Sequence, residues 1–267
     1  PPPAGLDVST PHPARVWNYW LGGRDYFAAD RAAGDAINRD FPHLAETARA
    51  ERAFLVRAVR YLAGPARIRQ FLDIGAGLPA GGNTHEIAQR IAPDTGIVYA
   101  DNDPAVLVHA TALLKNPMLA STPEGVVSYV RADLRDVTAV LAGSADTLDH
   151  AKPVALMLLG VLGHVEDHGA ARSITSQLMD ALPSGSYLAI ADGVAASDNL
   201  RNAQHRYNQS APVPYHLRRP DQLASFFDGL DLVEPGVVPC PQWKPDAPGG
   251  DAPAQASAVY CGVARKP

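Results

Sequence analysis

The sequence predicts an α/β fold: a mostly parallel sheet of seven strands with an antiparallel C-terminal strand, preceded by a cap of helices. Three observations carry this expectation. From residue 70 to about residue 191, short apolar runs alternate with helical patterns, as parallel strands joined by crossover helices require. The first run, Phe71-Leu72-Asp73-Ile74, feeds Gly75-Ala76-Gly77, so a strand turns through glycines into a helix start. The last two apolar runs, at about 230–238 and 256–264, flank a Pro/Gly-rich loop over 239–253, which suits an antiparallel edge pair.

The elements follow in order. Residues 1–13 are proline-rich and read as an irregular arm, and the missing initiator Met beside Pro1-Pro2-Pro3 suggests a trimmed start. A short helix over 14–21 puts Val16, Tyr19 and Trp20 on one face and stops at Gly22-Gly23. A second helix spans about 28–39. A third, about 43–62, carries Phe54, Leu55, Ala58, Val59 and Leu62 on one side. Strand one is 70–74, and its helix, about 84–92, has Asn83 and Glu86 at capping-box spacing. Strand two is 97–100, followed by a helix over 104–114 with proline at its first position and Asp103 as cap. Strands three, four and five are 126–131, 153–159 and 187–191, with a helix over about 167–182 before the fifth. Helical stretches near 199–209 and 220–227 precede the final pair.

Bulk properties narrow the function classes. A chain of 267 residues, 46% hydrophobic, can bury one full core, so a single domain over 1–267 is expected, with a helical cap (14–62) on a core (70–267). A net charge of -5 lacks the basic excess of a nucleic-acid-binding surface. Cys240 and Cys261 are too few for a disulfide framework or a metal cluster, so a reducing cytoplasm is the default and a pair of buried thiols the expectation. No apolar run reaches the length of a membrane span.

Ligands of open α/β sheets sit beyond the carboxyl ends of the strands, and this chain places acids there. Gly75-x-Gly77-x-x-Ala80 fits a dinucleotide fingerprint, but Asp73 at the mouth of the turn would repel a pyrophosphate. It would attract a cationic ligand, such as the ammonium and sulfonium of S-adenosylmethionine; the alternative is a buried Asp bonded to its own turn. Asp101 stands 26 residues after Gly75, near the spacing at which an acid meets ribose hydroxyls. Asp133, ending strand three, is placed for an adenine amine, with the Leu134 amide for a ring nitrogen. For each the competing reading is a helix cap or loop acid. Asp192 ends strand five with a similar look.

These motifs carry a family resemblance. Strand-Asp-x-Gly-x-Gly resembles motif I of the class I S-adenosylmethionine-dependent methyltransferases. The opening segment, Ala14-Arg15-Val16-Trp17-Asn18-Tyr19-Trp20-Leu21-Gly22-Gly23-Arg24-Asp25-Tyr26-Phe27-Ala28-Ala29-Asp30-Arg31, is similar to the A-R-x-Y-D-Y-x-L-G-G-K-D-N-F-x-x-D-R segment of a largely uncharacterised bacterial family of such enzymes. Further echoes are Arg69 to Pro79 with Asn83 and His85-Glu86, then Tyr99-Ala100-Asp101-Asn102-Asp103-Pro104, and Trp243-x-Pro245. The chain departs from that pattern at Trp17, Asn18, Arg24 and Tyr26, and Pro79 replaces the third glycine of common motifs. The resemblance implies a Rossmann-like fold and S-adenosylmethionine as cofactor, and it implies no substrate. Its candidate contacts are Asp73, Gly75, Ala76 and Gly77 after strand one, and Asp101 and Asn102 after strand two. Asp133 and Leu134 after strand three and Gly160 after strand four complete them.

Methyl transfer chiefly needs alignment and exclusion of water, so a catalytic signature is optional. His164, just past strand four, is the best-placed base, against a reading as a loop histidine. Tyr19, Arg24, Tyr26 and Tyr215 are candidate substrate contacts, and His205, Tyr207, His216 and Trp243 lie in segments that could close over a substrate or form a lid's own core. No cluster suggests a metal. The expected function is methyl transfer to a small molecule, without nucleic-acid or membrane partners. A non-catalytic sensor of the cofactor and a nicotinamide-dependent oxidoreductase are the alternatives.

Overall fold

A computed structural model describes residues 7–79, 81–104, 106, 108, 125–211, 213–246 and 258–267. Its sheet runs β3(Val126–Arg131)-β2(Gly96–Asp101)-β1(Gln70–Ile74)-β4(Ala155–Leu159)-β5(Tyr187–Gly193)-β8(Val259–Arg265)-β6(Asp231–Leu232), with β7(Val238–Pro239) also on β8. The first five are parallel; β6, β7 and β8 pair antiparallel. The order reverses between β1 and β4, and such a switch point opens a crevice at the carboxyl ends of the strands.

Alternation along β1 sorts the core into two layers. Leu72 and Ile74 face one side, with Val98, Leu156, Leu158, Leu188 and Ile190. Helices α5(Val137–Ser144) and α6(His168–Asp180) add Val140, Ile174 and Leu178 to that layer. Phe71 faces the other side, packed with Ile97, Met157, Ala189 and Val263 under α3(Leu44–Ala63) and α4(Thr84–Ile91). Ahead of α3, α1(Pro13–Trp20) packs on α2(Ala28–Asp40) and α3, while α2 packs on α7(Asp198–Ser210). α3 thus covers β4, β5 and β8 as well as forming part of the helical layer.

A buried ion pair fixes that layer. Asp30 is fully buried and its carboxylate takes the Arg15 Nε–H at 2.9 and 3.1 Å, the His12 N–H at 2.9 Å and the Phe27 N–H at 2.8 Å. Arg15 also donates to the Thr10 carbonyl at 2.6 Å. One carboxylate therefore ties the arm, α1 and the start of α2 together, which explains why Arg15 and Asp30 bracket the signature segment.

Three differences from the expected elements have local causes. The strand expected over 230–238 is two short pieces, because Pro235 and Gly236 (φ 86°) make a turn closed by the Gly236 N–H on the Val233 carbonyl. The sheet accordingly has eight strands where seven were expected. α5 was not read from the sequence, since Val137 to Leu141 is apolar without a helical stripe; Asp136 starts it by accepting the Ala139 N–H. The helix expected over 220–227 is α8(Pro220–Ala224) followed by a 3-10 turn. Most of the helix expected over 104–114, residues 1–6 of the proline-rich arm and residues 247–253 of the 239–253 loop lie outside the described residues.

Candidate functional site

Beyond the ends of β1, β2, β4 and β5 lies a cavity of about 290 Å³, walled by α1, α3 and α7. Its floor at β1 is the glycine turn. Gly75 has φ 73°, donates its N–H to the Ala100 carbonyl at 2.8 Å, and leaves no room for a side chain: a Cβ would stand 2.5 Å from Val161 Cγ2. Gly77 has φ 65° with open space where its Cβ would be, and its N–H donates to Asp101 Oδ2 at 3.0 Å. Ala80 of the fingerprint lies outside the described residues.

Three acids border this floor. Asp73 is buried, accepts the Thr84 hydroxyl at 2.7 Å, and is pushed up to about 6 by burial, against the opposing pull of that hydrogen bond and of Arg52. Asp101 spends one lone pair on Gly77 N–H and one, through Oδ1, on Asp103 N–H at 2.9 Å; burial raises its pKa. Each oxygen keeps a further acceptor site. Asp133 differs. Burial would raise it, but hydrogen bonds from the Arg135 amide (2.9 Å), Asn102 Nδ2 (2.9 Å) and the Arg135 guanidinium (3.0 and 3.2 Å) hold its pKa below the usual value. Ala76, Asn102 and Leu134 stand in the same wall.

The expected capping box at α4 takes another form. Asn83 Oδ1 accepts from Arg52 at 3.0 Å, Asn83 Nδ2 donates to Glu86 Oε1 at 2.7 Å, and Glu86 Oε2 accepts the Gly82 N–H at 3.0 Å. Arg52 also reaches the Gly81 carbonyl at 3.1 Å. The arginine thereby pins the wide turn to α3.

At β4 and β5 the wall changes character. Gly160 (φ 67°) ends β4, and a Cβ there would lie 3.0 Å from Glu51 Oε1. Glu51, 7% exposed on α3, borders the cavity; burial and then the nearby Asp192 push its pKa well up. His164 donates Nδ1–H to the Pro214 carbonyl at 2.9 Å, which leaves the lone pair on Nε2, and burial lowers its pKa, so the ring is neutral near pH 7. Asp192 accepts the Gly163 and Gly193 N–H groups, each at 2.9 Å, and the Tyr215 hydroxyl; burial pushes it up to about 7. Tyr215 itself stands in the cavity wall and stacks edge-on to His164.

Other expected contacts are placed elsewhere. Tyr19 donates to Asp35 and packs edge-on against Tyr26, Arg24 is exposed, and none of the three borders the cavity. Asn18 does border it and accepts the Asp25 N–H at 3.0 Å, holding the turn after α1. His205 is exposed and His216 is half-buried off the cavity, whereas Tyr207 borders it. Trp243 is core: fully buried, edge-on to Phe54 and Tyr61, with its carbonyl taken by Arg57 at 2.8 Å. Residues the sequence reading missed are Glu51 and Arg52 on α3, and His12, whose Nδ1 sits 3.0 Å from Asp103. For Glu51 a signal existed, a lone acid on the apolar stripe Leu44, Ala48, Leu55, Ala58.

The family model for S-adenosyl methyltransferase matches residues 1–267. A crystal structure of a DUF574 family protein from Streptomyces avermitilis is 43% identical, with a TM-score of 0.92 over 98% of this chain and 99% of that one. A candidate methyltransferase from Thermobifida fusca is 37% identical, with a TM-score of 0.89 over 99% of this chain and 98% of that one. Magnesium protoporphyrin IX methyltransferase from Synechocystis, solved with bound S-adenosylhomocysteine, is 11% identical and shares the fold at a TM-score of 0.58, over 94% and 93% of the two chains. No curated protein matches the sequence.

Proposed function

The chain belongs to the S-adenosyl methyltransferase family, whose cofactor is S-adenosylmethionine, and from that premise we propose that it transfers the cofactor's methyl group to a small-molecule acceptor in this cavity. The observation that carries the reading is the row of acids at three successive strand ends around a glycine turn, a set suited to a cationic adenosyl ligand. The open space at Gly77 fits a ligand lying against the backbone. Asp101 keeps one acceptor site on each oxygen for the two ribose hydroxyls. Asp133 meets the adenine amine only by sharing its lone pairs with Arg135 and Asn102. Arg52, beside Asp73, offers a cation to the methionine carboxylate.

When bound, the cofactor supplies a methyl carbon on a sulfonium, open to in-line displacement. The chain's part is to align and enclose. Val16, Trp17, Trp20 and Leu55 make an apolar wall that excludes water. His164, with its lone pair on Nε2, stands in the cavity wall as a candidate base. We place the reaction in the cytoplasm, where the free thiols of Cys240 and Cys261 stay reduced; among the described residues no helix is long and apolar enough to cross a membrane. We also take 1–267 as one functional unit, since α1, α3 and the sheet all contribute to the cavity.

The test is incubation with S-adenosylmethionine and a cell metabolite extract, followed by mass analysis. Extract-dependent formation of S-adenosylhomocysteine supports the reading. Cofactor binding without conversion in any extract fraction favours a sensor instead.

A further inference from the structure

Beyond the acids at β1, β2 and β3, the cavity reaches the ends of β4 and β5, and there one polar group has no visible task. The Glu51 carboxyl is nine-tenths buried, borders the cavity and receives no hydrogen bond from any described residue. Its Oε1 lies 3.0 Å from where a Cβ on residue 160 would stand, just past the end of the central strand β4. The neighbouring cation, Arg52, pulls the Glu51 pKa down but places its hydrogen bonds on Gly81 and Asn83. A second acid, Asp192, lies close enough to raise Glu51 further. An unpartnered carboxyl in such a place costs stability unless a ligand completes it. The same cavity is lined by Trp17, Trp20, Tyr207, Tyr215, Leu55 and Leu217. Apolar and aromatic walls with one buried acid suit a cation carried on an apolar body, since ring faces also attract an ammonium.

We propose that the methyl acceptor is a primary or secondary amine on an apolar body, held through its N–H by Glu51; this rests on the methyltransferase reading above. The bound ammonium passes one proton to the Glu51 carboxylate. The freed nitrogen lone pair forms the N–C bond as the C–S bond breaks, and the C–S electrons stay on sulfur as a neutral thioether. The product departs as an N-methylammonium, and Glu51 returns its proton to water. Burial and Asp192 raise the proton affinity of Glu51, which favours that transfer.

The experiment is calorimetric titration, in the presence of S-adenosylhomocysteine, with benzylamine, 2-phenylethylamine and tryptamine against their matching alcohols. The wild type is expected to bind at least one amine about tenfold or more tighter than its alcohol. In Glu51→Gln that preference falls to about unity while S-adenosylhomocysteine affinity stays within about twofold, and Glu51→Asp lies between. Absence of an amine preference in every pair overturns the proposal, as does a preference that survives Glu51→Gln. A loss of S-adenosylhomocysteine affinity in Glu51→Gln by about tenfold assigns the carboxyl to the cofactor and also overturns it. Failure of the wild type to bind S-adenosylhomocysteine brings down the methyltransferase reading itself.

Discussion

Replacing Asp30 by Asn tests how the cavity's helical wall is held. Arg15 is 3% exposed and Asp30 is fully buried, so the substitution strands a guanidinium in the interior. It also sets an amide that carries its own donors against the His12 and Phe27 N–H groups, which now point at carboxylate oxygens at 2.9 and 2.8 Å. Removing one member of a buried pair costs about 3–5 kcal/mol. In a domain of this size that is a fall of roughly 6–20 °C in Tm. Urea unfolding followed by circular dichroism and tryptophan fluorescence measures the loss, and Trp17 and Trp20 report on α1 directly. The double variant Arg15→Met/Asp30→Leu buries no charge and is expected to lose less than Asp30→Asn alone. A cost under about 1 kcal/mol for Asp30→Asn would refute the argument that this pair anchors the wall.

Other outcomes follow from the same geometry. Asp101→Ala weakens S-adenosylhomocysteine binding by about 1–3 kcal/mol, roughly 5- to 150-fold in Kd by calorimetry, and unchanged affinity in a folded variant removes Asp101 from the site. Gly75→Ala forces a positive φ on a side chain that meets Val161, so it should cost about 1–3 kcal/mol in urea unfolding; a neutral result contradicts the turn geometry. Asp192, raised to about 7 by burial, favours its protonated form in the native state. Its stabilising contribution is therefore present at low pH and lost as pH rises toward 7. Asp192→Asn should narrow the difference in unfolding free energy between pH 5 and pH 7.5, and an unchanged difference would count against that shift.

Legibility from sequence tracked the range of the interactions involved. The glycine turn and Asp73 are local, written within one strand and the residues that follow it. Asp101 and Asp133 were readable because parallel topology sends every strand's carboxyl end to one side, so a residue at the end of a run is near the crevice whichever neighbours the strand acquires. Glu51 needed knowledge that α3 lies over β4 and β5, which no local pattern states, although an acid on an apolar stripe was a visible anomaly. Tyr19, Arg24 and Tyr26 show the converse. They sit within the most recognisable segment of the chain, yet that segment is organised by the Arg15–Asp30 pair, and its aromatic side chains pack on one another and on α2. Trp243 was pulled into the core because Arg57 takes the carbonyls of both Trp243 and Cys240, clamping the turn under α3. The break between β6 and β7 was written in Pro235 and Gly236, which the apolar residues around them masked.

The central claim is that the acids at β1, β2 and β3 hold a cationic adenosyl cofactor. Calorimetric titration of the wild-type chain with S-adenosylmethionine, beside a parallel titration with NADH, tests it most directly. The structure predicts saturable binding of S-adenosylmethionine, one per chain, and no heat from NADH. Binding of NADH with no response to S-adenosylmethionine would contradict the account.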